Sequence, residues 1–168
     1  MELKGSKSES NLLEAFAGES QANRKYLAFA DKADAEGKKQ VAKLFRAAAA
    51  AETVHAHAHL RVAGGIKSTE ENLQEAIAGE TEEFTSMYPQ MIEEAKAEGQ
   101  DAALRSFNFA NEVEKVHANL YQKAFDSLGG NGETDYYVCK VCGNTLEGEP
   151  HGPCDVCGAG AVAFFKVD

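Results

Sequence analysis

Two short patterns that could bind metal ions each occur twice along the chain. Residues 11–20 read NLLEAFAGES and residues 72–81 read NLQEAIAGET, an offset of 61 with seven of ten positions identical. A Glu-x-x-His sequence also recurs, at an offset of 62. Each half thus has the ligands of one side of a carboxylate-bridged two-metal site between helices. The six candidate ligands are Glu19, Glu52 and His55 in the first half, and Glu80, Glu114 and His117 in the second.

The spacing of these residues favours metal binding over a solvated helix face. Residues three apart on a helix lie on one face, so both side chains of each Glu-x-x-His point the same way. Mixed carboxylate and imidazole ligands suit Fe, Mn or Zn better than Ca or Mg. A solvated face would explain any single Glu or His. The recurrence of all six among small or apolar neighbours favours metal, because buried carboxylates need a counter-charge.

One further glutamate breaks the repeat. Glu83 lies three residues beyond Glu80, whereas the matching position beyond Glu19 is Ala22. We therefore expect a seventh ligand on one side and two unequal metal positions. Tyr26 lies seven residues beyond Glu19, two helical turns along the same face, where it either approaches a metal-bound oxygen or packs in the core.

The four cysteines indicate a second metal site. Cys139, Cys142, Cys154 and Cys157 form two C-x-x-C-G knuckles, and four thiolates at this spacing predict a tetrahedral site for Zn or a single Fe. The knuckles alone favour a zinc ribbon. An adjoining two-metal redox site would need electrons, which favours iron.

The elements that must position these residues are four helical segments and a β-rich tail. Gly37, Gly64-Gly65, Gly99 and Gly129-Gly130 separate the helices, and Ser68 with Glu71 predicts a capping box. We expect Pro89 to kink the third helix and to position Tyr88. The predicted fold class is mainly α, a four-helix bundle followed by a small metal-bound β module. The predicted domains are residues 1–130 and 135–168.

The short link between the second and third helices leaves two arrangements open. The first-to-second and third-to-fourth connections predict antiparallel pairs. The link at residues 64–67 must join the two repeats. Either it spans the end of the bundle, or the halves are exchanged between subunits.

Composition excludes some classes of partner. The chain has 168 residues and a net charge of -10, which argues against nucleic acid and anionic membranes. It contains no apolar run of membrane-spanning length and no stretch typical of a secretory signal, so we expect a cytoplasmic protein. In a reducing compartment, paired cysteines favour metal over disulfides.

Taken together, the motifs resemble the rubrerythrin family. The resemblance rests on AGESQANRKY, the two Glu-x-x-His pairs, AGETEEF followed by MYP, and the two C-x-x-C-G knuckles. It implies a ferritin-like bundle with a non-haem di-iron centre, joined to a rubredoxin-like Fe(Cys)4 domain. The implied activity is reduction of hydrogen peroxide to water in oxidative stress defence. Electrons would come ultimately from NAD(P)H through a reductase or a rubredoxin.

The resemblance also implies roles for the individual ligands. Glu19 would bind one iron terminally, Glu80 and His117 would bind the other, and Glu52 and Glu114 would bridge. The resemblance further implies that one iron changes partner with oxidation state.

That exchange would give the repeat-breaking glutamate a function. The iron would take Glu83 when ferric and His55 when ferrous. Tyr26 and Tyr88 match family tyrosines that hydrogen-bond to ligand carboxylates or peroxide. Because the cysteine module follows the fourth helix, its metal is expected to lie far from the bundle site of its own chain. A head-to-tail homodimer would then place the module near the partner's site.

Two other functions fit parts of the sequence. An iron-handling ferroxidase or storage protein requires a large hollow assembly, and the appended cysteine module argues against it. A helical interaction module with a structural zinc ribbon requires one Zn and no iron.

Overall fold

The first two helices form an antiparallel pair. This computed structural model describes residues 3–130 and 132–168. Helix α1 spans Lys7–Ala35 and α2 spans Lys39–Val62. The Ser6 side chain caps α1 by accepting a hydrogen bond from the Glu9 amide. Gly37, with φ 75°, provides the left-handed residue that lets the chain reverse between the helices.

Small residues allow α1 and α2 to approach closely. Ala30, Ala33 and Ala42 are buried and pack with Phe45. Nearer the candidate ligands, the Asn23 side-chain amide donates to the Ala49 carbonyl at 2.7 Å and to the Thr53 hydroxyl at 2.9 Å. This polar contact fixes the register of the two helices beside the first group of ligands.

The second helical group contains α3, α4 and α5. These helices span Thr69–Glu82, Tyr88–Glu98 and Asp101–Asp126, and both α3 and α4 pack against α5. The predicted capping box at the start of α3 is confirmed, since the Ser68 and Glu71 side chains bond reciprocally to each other's amides. Helix α4 ends at Gly99 with φ 67°, as the sequence predicts.

A π-helical turn, Glu83–Met87, separates α3 from α4. The kink expected at Pro89 stays a prediction, and the structure places this π-helical turn immediately before Tyr88, the residue that precedes the proline. The wider turn accommodates the residue that lacks an amide donor. Glu83, the residue that breaks the sequence repeat, is the first residue of this turn.

The C-terminal residues form a small antiparallel sheet. Strands β1 (Tyr136–Cys139), β2 (Thr145–Glu147) and β3 (Phe164–Lys166) lie in the order β2-β1-β3. Val138 is opposite Thr145 on one side and opposite Phe165 on the other. The sheet brings the first knuckle beside the edge strand β2.

The predicted class, mainly α with a small C-terminal β module, is confirmed. The chain divides into two compact units, Met1–Lys67 and Ser68–Asp168, and the second unit contains both α3–α5 and the β module. The proposed domains at 1–130 and 135–168 remain a prediction. Over the described residues, no helix combines the length and apolarity needed to span a bilayer.

Candidate metal centres

The first unit brings together three of the predicted ligands. Glu19 on α1 meets Glu52 and His55 on α2, with ligand atoms all within 4.8 Å of one another. His55 Nδ1 lies 2.8 Å from Glu52 Oε2 and 3.9 Å from Glu19 Oε1. We call this group the first half-site.

The second unit repeats the arrangement with the matching residues. Glu80 on α3 meets Glu114 and His117 on α5. His117 Nδ1 lies 2.7 Å from Glu114 Oε2 and 3.8 Å from Glu80 Oε1. The sequence repeat is therefore a repeat of side-chain geometry. We call this group the second half-site.

Both half-sites fit a metal ion. Nitrogen and oxygen ligands lie about 2.0–2.2 Å from a zinc-like ion, so two ligands on one ion lie roughly 3–4 Å apart. The separations of 2.7 to 3.9 Å in the two groups are compatible with that spacing. Two carboxylates and one imidazole suit Fe, Mn or Zn, and they leave coordination positions open.

The second half-site carries a surplus of negative charge that a cation would relieve. Burial, with the nearby Glu114 carboxylate, raises the pKa of Glu80 from 4.5 to about 7. Burial also raises the pKa of Glu83, with a further contribution from Glu114. The charge of His117 acts on Glu83 in the opposite direction, so the seventh predicted ligand lies within electrostatic range of this half-site.

The two predicted tyrosines lie in different surroundings. Burial raises the pKa of the Tyr88 hydroxyl, followed by the charges of Glu114, Glu83 and Glu80, so Tyr88 lies near the second half-site. Tyr26 is half-buried among aromatic rings, with centroids 6.4 Å from Phe29 and 6.2 Å from Phe45. This packing corresponds to the core alternative for Tyr26. Roles for both tyrosines in catalysis remain predictions.

The four cysteines converge as the spacing predicts. Their sulfurs lie within 4.8 Å of one another, with Cys139 and Cys157 Sγ atoms 3.7 Å apart and Cys142 and Cys154 Sγ atoms 3.5 Å apart. Four thiolates about 2.3 Å from a tetrahedral ion would lie roughly 3.8 Å apart. A disulfide would require about 2.05 Å. The geometry fits one Fe or Zn ion.

Backbone amides tune these thiols toward metal binding. Burial opposes ionisation of Cys154, but hydrogen bonds from the amides of Cys157 and Val156, together with those from the Cys142 and Cys157 side chains, lower the Cys154 pKa to about 7. Burial raises the pKa of Cys142. A cation bound by all four sulfurs would stabilise both thiolates, because the metal's charge favours the deprotonated form.

A contact that sequence analysis missed joins the cysteine module to the second half-site. The Thr145 hydroxyl on β2 lies 3.0 Å from His117 Nε2. Strand β2 of the module therefore contacts this half-site directly, and the expected distance between the cysteine-bound metal and the bundle site stays a prediction. The two residues are 28 positions apart, and no local pattern connects a residue after a knuckle with a histidine on an earlier helix.

With this geometry established, comparison with known proteins decides the family. The family model described as Rubrerythrin matches residues 10–125, which contain both half-sites. The chain belongs to the rubrerythrin family. The resemblance recognised in the sequence motifs is thereby confirmed.

Relatives of this family match along almost the whole chain. Rubrerythrin-2 of Clostridium acetobutylicum is 34% identical over 175 residues, covering 94% of this chain and 95% of that protein. Rubrerythrin of Porphyromonas gingivalis is 41% identical over 162 residues, covering 86% of this chain and 81% of the relative. A solved structure of partially reduced nigerythrin has a TM-score of 0.59 at 30% identity, covering 98% of this chain and 91% of that one.

Proposed function

We propose that this chain is a non-haem di-iron peroxidase that reduces hydrogen peroxide to water. The observation that carries the proposal is the coexistence of two matching Glu₂His half-sites and a four-cysteine site in one rubrerythrin-family chain. The reaction consumes one peroxide, two electrons and two protons and releases two water molecules. When bound, two ferrous ions would supply one electron each.

The residues of the two half-sites would together bind two iron ions. We assign Glu19 as a terminal ligand of one iron, Glu80 and His117 to the other, and Glu52 and Glu114 as bridges. This assignment requires the two half-sites to combine in one bundle. Its support is the repeated geometry within each half-site, which offers the same three ligand types twice.

The exchange of ligands with oxidation state would use the least restrained imidazole. Within the second half-site, His117 Nε2 is hydrogen-bonded to the Thr145 hydroxyl at 3.0 Å, whereas the first half-site provides no such partner for His55 among its described residues. An imidazole without that hydrogen bond can change its orientation more easily. We therefore propose that His55 and Glu83 alternate on one iron, while His117 keeps its position. Carboxylate suits the ferric ion and imidazole the ferrous ion.

Two tyrosines supply the hydroxyl groups of the proposed site. The raised pKa of Tyr88 keeps its hydroxyl protonated and able to donate a hydrogen bond. We propose Tyr88 and Tyr26 as the residues that hydrogen-bond to peroxide or to ligand carboxylates.

Electrons would enter through the cysteine module. Cys139, Cys142, Cys154 and Cys157 would hold an iron ion, which would supply one-electron redox chemistry when bound. A reductase or a rubredoxin, supplied ultimately by NAD(P)H, would reduce it. We propose a head-to-tail homodimer in the cytoplasm, in which a partner's module could supply the same electrons.

Rapid mixing tests this function directly. The anaerobically reduced, iron-loaded protein is mixed with hydrogen peroxide, and oxidation is followed by absorbance. We expect both irons of the bundle to be oxidised much faster than in a Glu52→Ala variant, which lacks a bridging ligand. Equal rates in the two proteins would contradict the proposal. Size-exclusion chromatography after iron loading tests the ferroxidase alternative, which requires a large assembly with a mineral core.

A further inference from the structure

The two half-sites differ in what lies behind each histidine. In both, Nδ1 faces the carboxylates. Behind His117, the Nε2 atom lies 3.0 Å from the Thr145 hydroxyl. Among the described residues, no hydrogen bond is made to Nε2 of His55. The histidine of the second half-site therefore has a hydrogen bond on its Nε2 side that the histidine of the first half-site lacks among the described residues.

The hydroxyl of Thr145 fixes the direction of this hydrogen bond. Thr145 Oγ1 lies 3.2 Å from the Gly143 carbonyl, which accepts the single hydroxyl proton. The same oxygen must then accept the hydrogen bond from His117, so Nε2 carries the proton. Nδ1 lies 2.7 Å from Glu114 Oε2, so a proton joins these two atoms in the metal-free protein. A metal ion that displaces this proton would bind the Nδ1 lone pair on the side where Glu80 and Glu114 lie, while Nε2 keeps its proton.

The same segment also contacts the four-cysteine site. The side-chain amide of Asn144, which is buried, lies 3.6 Å from Cys154 Sγ. The backbone carbonyl of Asn144 accepts a hydrogen bond from the Cys139 amide at 2.9 Å. Adjacent residues thus touch the sulfur site on one side and the His117 imidazole on the other. When the first knuckle, Cys139 to Cys142, is folded, it holds the Thr145 hydroxyl beside the His117 imidazole.

We propose that Thr145 is a positioning residue that fixes the tautomer and orientation of His117, and that it links the folding of the cysteine module to metal affinity at the second half-site. This inference rests on the metal ligands assigned in the proposed function, but it does not depend on peroxide reduction. In this proposal, the cysteine module orients a metal ligand of the helices in its own chain.

Zinc loading of the full chain tests the proposal without redox chemistry. The parent, Thr145→Val, Thr145→Ser and the exposed control Thr134→Val are titrated with zinc. The imidazole signals of His117 and His55 are followed separately by ¹⁵N NMR. Because partners behind a metal-binding histidine typically affect affinity 10- to 100-fold, we expect Thr145→Val to weaken zinc binding at His117 by roughly that factor. Binding at His55 should not change.

The variants distinguish positioning from general packing. Thr145→Ser keeps the hydroxyl and should retain the parent affinity and the parent Nε2–H signal, as should Thr134→Val. Parent-like affinity and spectrum in Thr145→Val would overturn the proposal. Equal losses in Thr145→Ser and Thr145→Val would also overturn it, because the hydroxyl would then not be the cause.

A measurement on the unaltered protein decides the same question if Thr145→Val fails to fold. In the zinc-loaded parent, the Nε2 proton of His117 should exchange with water more slowly than that of His55. Equal exchange rates would refute the positioning role. Failure of peroxide to oxidise the iron-loaded parent would refute the proposed function and leave these zinc results unaffected.

Discussion

Replacing Glu80 by glutamine should have opposite effects on the metal-free and the metal-loaded protein. In the metal-free protein, burial and the neighbouring Glu114 carboxylate raise the pKa of Glu80 from 4.5 to about 7. The folded state therefore binds more protons than the unfolded state between these pH values. Its stability falls as the pH rises through that window, because the Glu80 charge is disfavoured only in the folded chain. Above pH 7, Glu80 is ionised in the folded chain, and the full destabilisation of the metal-free protein is present.

The size of this effect follows from the change in proton affinity. At about 1.4 kcal/mol for each tenfold change, the difference between 4.5 and about 7 corresponds to an upper bound of roughly 3 kcal/mol. The Glu80 side chain is still 19% exposed, so solvent screens part of this energy. We expect Glu80→Gln to stabilise the metal-free protein by about 1–2 kcal/mol at pH 8, and to have little effect at pH 4.

Urea unfolding in a chelator provides the assay, with Glu82→Gln as the matched control. Glu82 is exposed and lies only two residues along the same helix. With zinc or ferrous ion added, the sign should reverse, because Glu80→Gln removes a ligand and with it part of the stabilisation that binding provides. Destabilisation of the metal-free Glu80→Gln variant at pH 8, relative to Glu82→Gln, would refute the reasoning.

Three further outcomes follow from the same structure. Metal affinity at the second half-site should fall by about tenfold per pH unit below pH 7, as the cation displaces one proton from Glu80, and should level off above it; a flat profile from pH 5 to 7 in a ferrous-ion titration would contradict this. Ala30→Leu should cost about 1–3 kcal/mol in thermal unfolding, because Ala30 is fully buried in the α1–α2 core, whereas the exposed control Ala28→Leu should be nearly neutral. Cys139→Ser should abolish the visible bands of the iron–sulfur site and make the β module sensitive to protease while far-UV circular dichroism remains helical, since that module depends on its metal; loss of the helical signal as well would show that the helices depend on the module.

The ligand geometry was predictable because it is mostly local. Helical periodicity alone places Glu114 and His117 on one face, and the repeat identifies Glu80 as their partner. The start of α3 was equally predictable, since Ser68 and Glu71 carry the complete capping signal. Where the chemistry of a few neighbouring residues determines the structure, sequence analysis was sufficient.

Other features depend on contacts between distant residues. The π-helical turn at Glu83–Met87 changes the hydrogen-bonding pattern within a segment whose composition is ordinarily helical, and Pro89 marked only its vicinity. The contact between Thr145 and His117 depends on how the β module packs against α5. The aromatic surroundings of Tyr26 likewise arise from packing with Phe45 on the neighbouring helix.

Metal analysis of protein purified without air tests the central claim most directly. The account predicts about three metal ions per chain, one at each of the three ligand groups, with iron in both half-sites. A Glu52→Ala and Glu114→Ala double variant should lose the bundle iron and keep the ion bound by the cysteines. One zinc ion per chain and no iron in the unaltered protein would contradict the account.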